Sequence, residues 1–222
     1  MKQPLYAVYG VSGCGRGVMP LAREQLQLLD VPLSRLVFVD DNPGERTVNG
    51  LQVLTYSEFN DVEASERKVV IAIAGSAVRK KLAERCTKDG IKPWSVIASN
   101  IMIMDDVQIG EGSILSPFVT LTSNIRIGKH FHANMYSYVE HDCVIGDYVT
   151  FAPAVKCNGN VVIEDHAYIG AGAILKQGKS GSPLVIGSGA IVGMGAVVTR
   201  NVPKGMTVVG NPAEELIRID KC

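Results

Sequence analysis

From Ile103 onward an apolar side chain returns at every sixth residue: Ile109, Leu115, Leu121, Ile127, Ala133, Val139, Ile145, Phe151, Cys157, Ile163, Ile169 and Leu175. After one interruption, at residues 176–185, the period resumes with Ile186, Val192 and Val198. In a chain that is 46% hydrophobic, thirteen apolar residues in succession at one spacing arise by chance about once in twenty thousand trials. The fifth residue of each repeat is also small or apolar (Val107, Ser113, Val119, Ile125, Phe131, Ser137, Cys143, Val149, Val155, Val161, Ala167 and Ala173). Two inward positions in six match neither the 3.6-residue period of a helix nor the alternation of a hairpin strand. They match a solenoid of short flat strands, three to a coil, with turns between them. One coil then takes eighteen residues, residues eighteen apart stack at about 4.8 Å, and the sixteen repeats make about five coils.

The period divides the 222 residues near residue 100, and two domains are expected, 1–100 and 101–222, each able to bury a modest core. Lys plus Arg and Asp plus Glu balance at 22 each. No basic cluster or aromatic ladder occurs, which disfavours nucleic acid and anionic membrane surfaces as partners. No apolar run approaches the ~20 residues of a membrane span, and the first residues, MKQPLYAVYG, lead into a strand without the apolar core of a signal peptide. A cytoplasmic protein is expected. Cys14, Cys86, Cys143, Cys157 and Cys222 are odd in number and lack CxxC spacing, so neither disulfides nor a metal site is expected.

Before the repeats, "PLYAVYG" reads as a buried strand and "GVSGCGRGVMPLAREQLQLL" as a glycine-rich turn opening a helix with Val18, Leu21, Leu26 and Leu29 as its apolar stripe. "LVFVDD" is a second strand ending at Asp40 and Asp41, "KVVIAIAG" a third, and "SAVRKKLAERCTKDG" a helix opened by Ser76 and closed by Gly90. This is a Rossmann-like βαβ arrangement with Gly10, Gly13 and Gly15 in the first turn. Backbone N–H groups at a helix N-terminus approach a phosphate only where no Cβ intervenes, and Ser12 adds a hydroxyl donor. The spacing is GxxGxG and not GxGxxG, which fits a nucleoside diphosphate better than a dinucleotide. Two plainer readings stand beside it: glycines that only permit tight packing, and strand-end carboxylates that are merely solvated.

Of the four histidines (His130, His132, His141 and His166), His141 is third in its hexad, hence outward or at a corner, between Glu140 and Asp142. An imidazole held by a carboxylate has a fixed tautomer and serves as a general base, which acyl transfer to an amine or alcohol needs. One coil later stands Gly159, whose bare backbone N–H is a candidate donor to a thioester oxygen as charge develops on it. The other three histidines read as surface or interface residues.

The segments "NMYSYVEHDCVIGDY" and "APAVKCNGNVVI", with "GVSGCG", "IAIAGSAVRKKL" and the closing "VPKGMTVVGNPAEEL", resemble the hexapeptide-repeat acetyltransferases that include sialic acid O-acetyltransferases and UDP-4-amino-sugar N-acetyltransferases (NeuD/PglD-like). The resemblance covers nearly the whole chain and implies an α/β N-terminal Rossmann-like domain followed by an all-β left-handed parallel β-helix. It implies that His141 is the catalytic base, that Asp142 orients it, and that Gly159 meets the acetyl carbonyl. Gly10, Ser12, Gly13, Asp40 and Asn134 would bind the substrate, a UDP- or dTDP-linked sugar with a free 4-amino group. Gly159, Thr150, Gly170 and Gly172 would line acetyl-CoA, with no metal required. Many relatives carry a second histidine where this chain has Thr150. "KCNGN" is similar to the amino-sugar N-acetyltransferases, in keeping with a role in bacterial surface-glycan synthesis such as lipopolysaccharide. O-acetylation of sialic acid or a related sugar, and a non-catalytic trimeric nucleotide-binding scaffold, stay open as alternatives.

One β-helix offers only half of a coenzyme groove, so a homotrimer with active sites between subunits is implied. Light scattering is expected to find three chains per particle; a monomer would contradict it.

Overall fold

The computed structural model describes residues 3–216; Cys222 lies outside them. The chain divides into two compact units, the first running to Ser99 and including Glu111–Ile114, the second comprising Asn100–Gly110 and the chain from Leu115.

In the first unit, β1 (Leu5–Tyr9), α1 (Gly13–Gln27), β2 (Leu36–Val39), β3 (Thr47–Val48), β4 (Leu51–Leu54), α2 (Tyr56–Asp61), β5 (Arg67–Ile71), α3 (Ser76–Lys88) and β6 (Lys92–Pro93) follow one another. The sheet order is β3-β4-β2-β1-β5-β6, parallel except for the β3–β4 hairpin. β1 and β2 are buried along their whole length, which is why their sequences are unbroken apolar runs without alternation. The chain leaves β1 towards β2 on one side and reaches β5 on the other. The carboxyl end of β1 is therefore a topological switch point, where open α/β sheets bind ligands.

Two glycines are fixed here by packing. A Cβ at Gly15 would overlap the Gly10 carbonyl oxygen, and Gly10 itself has φ +108° with Ile73 Cδ1 2.8 Å from where its Cβ would lie. Local differences from the sequence expectations have simple causes. α1 ends at Gln27, so Leu29 falls beyond it and is 61% exposed. The N-cap of α3 is Gly75, and Ser76 is the first helical residue. Gly90, at φ +75°, closes α3 as expected, with Ile91 N–H donating back to Cys86 O at 2.9 Å. The stretch between β2 and β5, which showed no period, holds the β3–β4 hairpin, turning at Asn49 and Gly50 with φ 49° and 77°. It also holds α2, opened by a Thr55–Glu58 capping box.

The second unit is a left-handed parallel β-helix. Partners lie one coil apart: Met102, Thr120, Tyr138 and Lys156 on one face, His132, Thr150 and Tyr168 on another, Arg126, Val144 and Val162 on the third. From Leu115 onward the first residue of every hexad is buried, Leu115, Leu121, Phe151, Cys157, Ile169, Leu175, Ile186 and Val192 completely. Ile103 departs from the pattern. It is 42% exposed because its strand is the edge of its sheet, where packing comes from one side only.

Corners fall at left-handed residues eighteen apart: Asp106, Asn124, Asp142 and Asn160 form one column, His130, Tyr148 and His166 another, Phe118 and Tyr136 a third. Asn and Asp tolerate that backbone best. In the other columns ring stacking offsets its cost: His130 on Tyr148 at 5.1 Å, Tyr148 on His166 at 5.2 Å, Phe118 on Tyr136 at 4.9 Å. The interruption is a tight turn bridged between Lys179 and Ser182. Strand structure resumes at Leu184, so Leu184 and Val185 belong to the repeat and not to the insertion. Val208 pairs antiparallel with Glu215 and covers the last rung.

Gly17 lies inside α1, exposed, with nothing within 4 Å of where a Cβ would lie. Gly17→Ala is expected to stabilise the protein by ~0.5–1 kcal/mol, whereas Gly15→Ala should destabilise it by several kcal/mol, of the order seen for severe overpacking. Thermal unfolding of the two variants checks this; equal effects would contradict it.

Candidate active site

The corner after the strand Tyr138–Val139 carries Glu140, His141, Asp142 and Cys143 before the next strand, Val144–Ile145. Asp142 occupies the left-handed position, φ 59°, and the backbone reversal leaves its carboxylate beside the preceding ring. His141 Nδ1 lies 2.8 Å from Asp142 Oδ2. Asn124, one coil below Asp142, donates from Nδ2 to Asp142 Oδ1 at 3.2 Å, so both carboxylate oxygens are engaged. The hydrogen bond to Asp142, then the Asp142 and Glu140 charges, hold the His141 imidazole above the usual histidine range. Hydrogen bonds from His141 and Asn124 hold Asp142 below the usual carboxylate range. With Nδ1–H donated to Asp142, the Nε2 lone pair is left for other chemistry, and Nε2 has no hydrogen-bond partner among the described residues.

Gly159 stands one coil above. A Cβ there would lie 2.6 Å from both Cε1 and Nε2 of His141, so the ring rests against the bare Cα and any side chain would displace it. Asn160 N–H donates to His141 O at 2.9 Å and ties the two coils together. Gly159 is buried, and its own N–H donates to no acceptor among the described residues. A buried donor without a partner is rare in a folded chain.

The structure thus brings His141, Asp142 and Gly159 together and adds Asn124, which the sequence reading missed. The signal was available: Asn124 is eighteen residues before Asp142, just as Gly159 is eighteen after His141. Asn134 is not joined to them within one chain. It follows the strand His132–Ala133 at the preceding corner, and its Nδ2 donates to Phe151 O at 2.8 Å, the same coil-to-coil bond that Asn158 makes to Leu175 O. Thr150 is 4% exposed, registered between His132 and Tyr168. Gly170 is required by packing, since a Cβ would meet Met194 N at 2.5 Å, whereas Gly172, at φ +69°, has open space around it.

In the first unit Ser12 is the N-cap of α1 but caps nothing with its side chain, and the first turn holds no acidic residue. Nothing lies within 4 Å of a Cβ at Gly13. Packing does not demand a glycine there, as it does at Gly10 and Gly15, so this bare backbone faces open space at the helix start. The two strand-end aspartates separate. Asp41 accepts from Tyr9 OH at 2.7 Å and pairs with Arg85 at 2.9 Å, while the Arg85 guanidinium lies 3.8 Å over the Tyr56 ring. Asp40 Oδ1 takes only the local Asn42 N–H, at 3.0 Å. Among the described residues no three His, Cys, Asp or Glu are grouped to hold a metal ion, and no helix is long and apolar enough to cross a membrane.

The family model of the PglD N-terminal domain matches residues 6–86. The GDP-perosamine N-acetyltransferase of Escherichia coli O157:H7 is 48% identical over 214 residues, 96% of this chain and 97% of that protein. Among solved structures, WeeI from Acinetobacter baumannii AYE is 57% identical with a TM-score of 0.94, covering 96% of this chain and 100% of that one. The acetyltransferase domain of PglB from Neisseria gonorrhoeae FA1090, solved in complex with acetyl coenzyme A, is 27% identical with a TM-score of 0.81, covering 97% and 100%.

The His141–Asp142 contact has a direct readout. An NMR titration of the His141 ring is expected to give a midpoint above that of a free histidine, since its folded-state pKa is raised by the Asp142 hydrogen bond. Asp142→Asn should lower the midpoint; an unchanged midpoint would show that the contact does not hold the ring.

Proposed function

This chain belongs to the NeuD/PglD-like family of hexapeptide-repeat acetyltransferases, and we propose that it moves the acetyl group of acetyl-CoA to the 4-amino group of a nucleotide-linked amino-deoxy sugar. Acyl transfer is the chemistry of the family. The observation that carries the site assignment is the His141 ring, held by Asp142 at Nδ1, resting on Gly159 and leaving Nε2 without a partner.

The neutral amine attacks the thioester carbonyl carbon and forms the C–N bond as the carbonyl electrons move onto oxygen. The Gly159 N–H, which has no acceptor among the described residues, donates to that oxygen. His141 Nε2 takes the proton from nitrogen, and Asp142 stabilises the imidazolium that results. Collapse breaks the C–S bond, and the coenzyme leaves as the thiol with the proton returned by His141. No acyl-enzyme is needed. Asn124 is a positioning residue, because it touches Asp142 and not the ring. Gly170 and Gly172, with Thr150, are the further positions assigned to the coenzyme, and Asn134 to the acceptor side.

The first unit takes the nucleotide through Gly10, Ser12, Gly13 and Asp40. An amine acceptor is favoured over a hydroxyl by the E. coli relative, which is named for N-acetylation of GDP-perosamine. That name adds GDP to the UDP and dTDP expected from the sequence. The product serves bacterial surface-glycan synthesis, and a homotrimer completes the coenzyme groove.

His141→Ala is expected to lower kcat/KM by about 10²–10⁴-fold, the usual contribution of a positioned base; retention of more than about a tenth of the activity would sink the assignment. The base works only when neutral. The rate should therefore fall on the acid side as pH drops through the raised His141 pKa, and Asp142→Asn should move that limb to lower pH while reducing the plateau.

A further inference from the structure

Along the β-helix the second residue of a hexad sends its own N–H to a carbonyl of the coil above: Asn134 to Phe151 O, Glu140 to Cys157 O, Asn158 to Leu175 O. The lattice then has two uses for a polar side chain at that position. An asparagine adds its amide to the same carbonyl, as Asn134 does at 2.8 Å and Asn158 at 2.7 Å. A glutamate takes an N–H one residue further along the coil above, as Glu164 takes Ser188 N–H at 2.8 Å. Glu140 does neither. An ionised carboxylate has no proton for the Cys157 carbonyl. The counterpart of Ser188 is Gly159, because Asn158 stacks above Glu140 as Gly187 stacks above Glu164, and Glu140 makes no bond to it.

A carboxylate and a backbone donor that are joined at Glu164 and Ser188 thus stand apart at the His141 corner. That separation, and not exposure, sets the half-buried Glu140 apart from the surface acids. Its neighbours do not neutralise it. Asp142 has its oxygens on His141 and Asn124, and the Tyr138 hydroxyl donates to Asn158 Oδ1 at 3.1 Å. Lys156, stacked above Tyr138, and Lys176, above Asn158, form no ion pair with Glu140 among the described residues. The Glu140 charge nevertheless reaches the site. After the Asp142 hydrogen bond and charge it adds to the rise of the His141 imidazole, and after burial to that of the Tyr138 hydroxyl.

We propose that Glu140 is the acceptor-selecting residue: its carboxylate holds the sugar's amino group as the ammonium ion, beside His141, and so favours an amine over a hydroxyl. The assignment rests on the acetyl-transfer reading above and names the group that chooses the acceptor. An ammonium has three N–H donors, one for a Glu140 oxygen and one for His141 Nε2. A hydroxyl brings a single O–H and no charge, and forfeits the ion pair. The ammonium gives one proton to neutral His141, which passes it to water. The amine then attacks the thioester, and the proton it sheds as the C–N bond forms leaves on the thiol. Ammonium and thioester become amide, thiol and one released proton. Glu140 draws the nucleophile and the Gly159 N–H the thioester oxygen; had they bonded to each other, neither would be available.

Calorimetry and steady-state kinetics on the intact protein test this, with GDP-perosamine, or the UDP- or dTDP-linked 4-amino sugar where that is the better acceptor, and with the same nucleotide sugar bearing a hydroxyl at carbon 4. The wild type is expected to bind the amine at least about tenfold more tightly than the hydroxyl form. Glu140→Gln, isosteric and uncharged, should weaken the amine about tenfold and leave the hydroxyl form and the KM for acetyl-CoA within about twofold. Glu140→Asp, which keeps the charge, should recover part of the preference. The new amide can donate to the Cys157 carbonyl as Asn158 does to Leu175, so the unfolding temperature of Glu140→Gln should not fall. Equal losses on both sugars, an unchanged preference or a marked drop in unfolding temperature in Glu140→Gln overturns the assignment and leaves acetyl transfer standing. A wild type that acetylates none of the amino sugars overturns the reading beneath it.

Discussion

The hydrogen bonds between successive coils of the β-helix are the constraint on which the site depends. Each coil donates to and accepts from its neighbours along all three faces, as in Tyr138 N–H to Val155 O and Gly146 N–H to Ile163 O, so residues eighteen apart cannot slide past one another. Register becomes position. Two adjacent columns meet at the corner: one holds Ser123, His141 and Gly159, the other Asn124, Asp142 and Asn160. His141 rests on the residue above it in its own column, and Asp142 is gripped by the residue below it in the other. An imidazole, the carboxylate at its Nδ1, that carboxylate's anchor and a bare backbone N–H thus occupy two adjacent columns over three successive coils of a lattice made of main chain. Few elements place four groups with so little reliance on side-chain packing.

The same lattice explains which glycines serve shape and which leave room. Gly110, Gly128, Gly146 and Gly170 sit where a Cβ would collide with backbone or a side-chain carboxylate of the next coil, so they allow coils to approach. Gly159 collides only with the His141 ring, which makes it a seat for one side chain and not a general spacer. In the first unit Gly10 and Gly15 are bound to each other by close contact between turn and helix, while Gly13 faces open space. One sequence motif therefore contains two kinds of glycine, and spacing alone does not tell them apart. Only the surroundings of the absent side chain do.

The β-helix was legible because its signal is redundant: sixteen repeats carry the same two inward positions, so one polar or exposed exception such as Ile103 does not mask the period. The arrangement of the His141 corner was legible for the same reason, since the period turns sequence distance into spatial neighbourhood. Asn124 escaped because its link to the site runs downward from Asp142, whereas the column that holds the candidate donor runs upward from His141. Asn134, which the family resemblance sets near the acceptor, has its amide hydrogen-bonded to the coil above, at Phe151 O. In the first unit the strands and the two longer helices were readable as apolar runs and caps. The segment from Asp41 to Asp61 was not, because strands of two to four residues and a single helical turn and a half are too short to show a period. Its cues were purely local: Asn49 and Gly50 for the turn, Thr55 and Glu58 for the helix start.

The two units therefore build recognition from different materials. In the β-helix the groups of the proposed site are held by main-chain register, and Asp142 has both oxygens occupied, so that in the proposed reaction His141 is pre-set for proton transfer. In the first unit the groups sit on turns. Asp41 is engaged by Tyr9 and Arg85, whereas Asp40 Oδ1 takes only the local Asn42 N–H. Fixing one member of an adjacent acidic pair on the protein side keeps two like charges from competing for the same ligand, and burial with the Asp40 charge raises the Asp41 pKa accordingly. On the proposed nucleotide reading, the two charges of a diphosphate are repelled by neighbouring carboxylates, and the Tyr9–Asp41–Arg85 contact engages one of the two with protein partners.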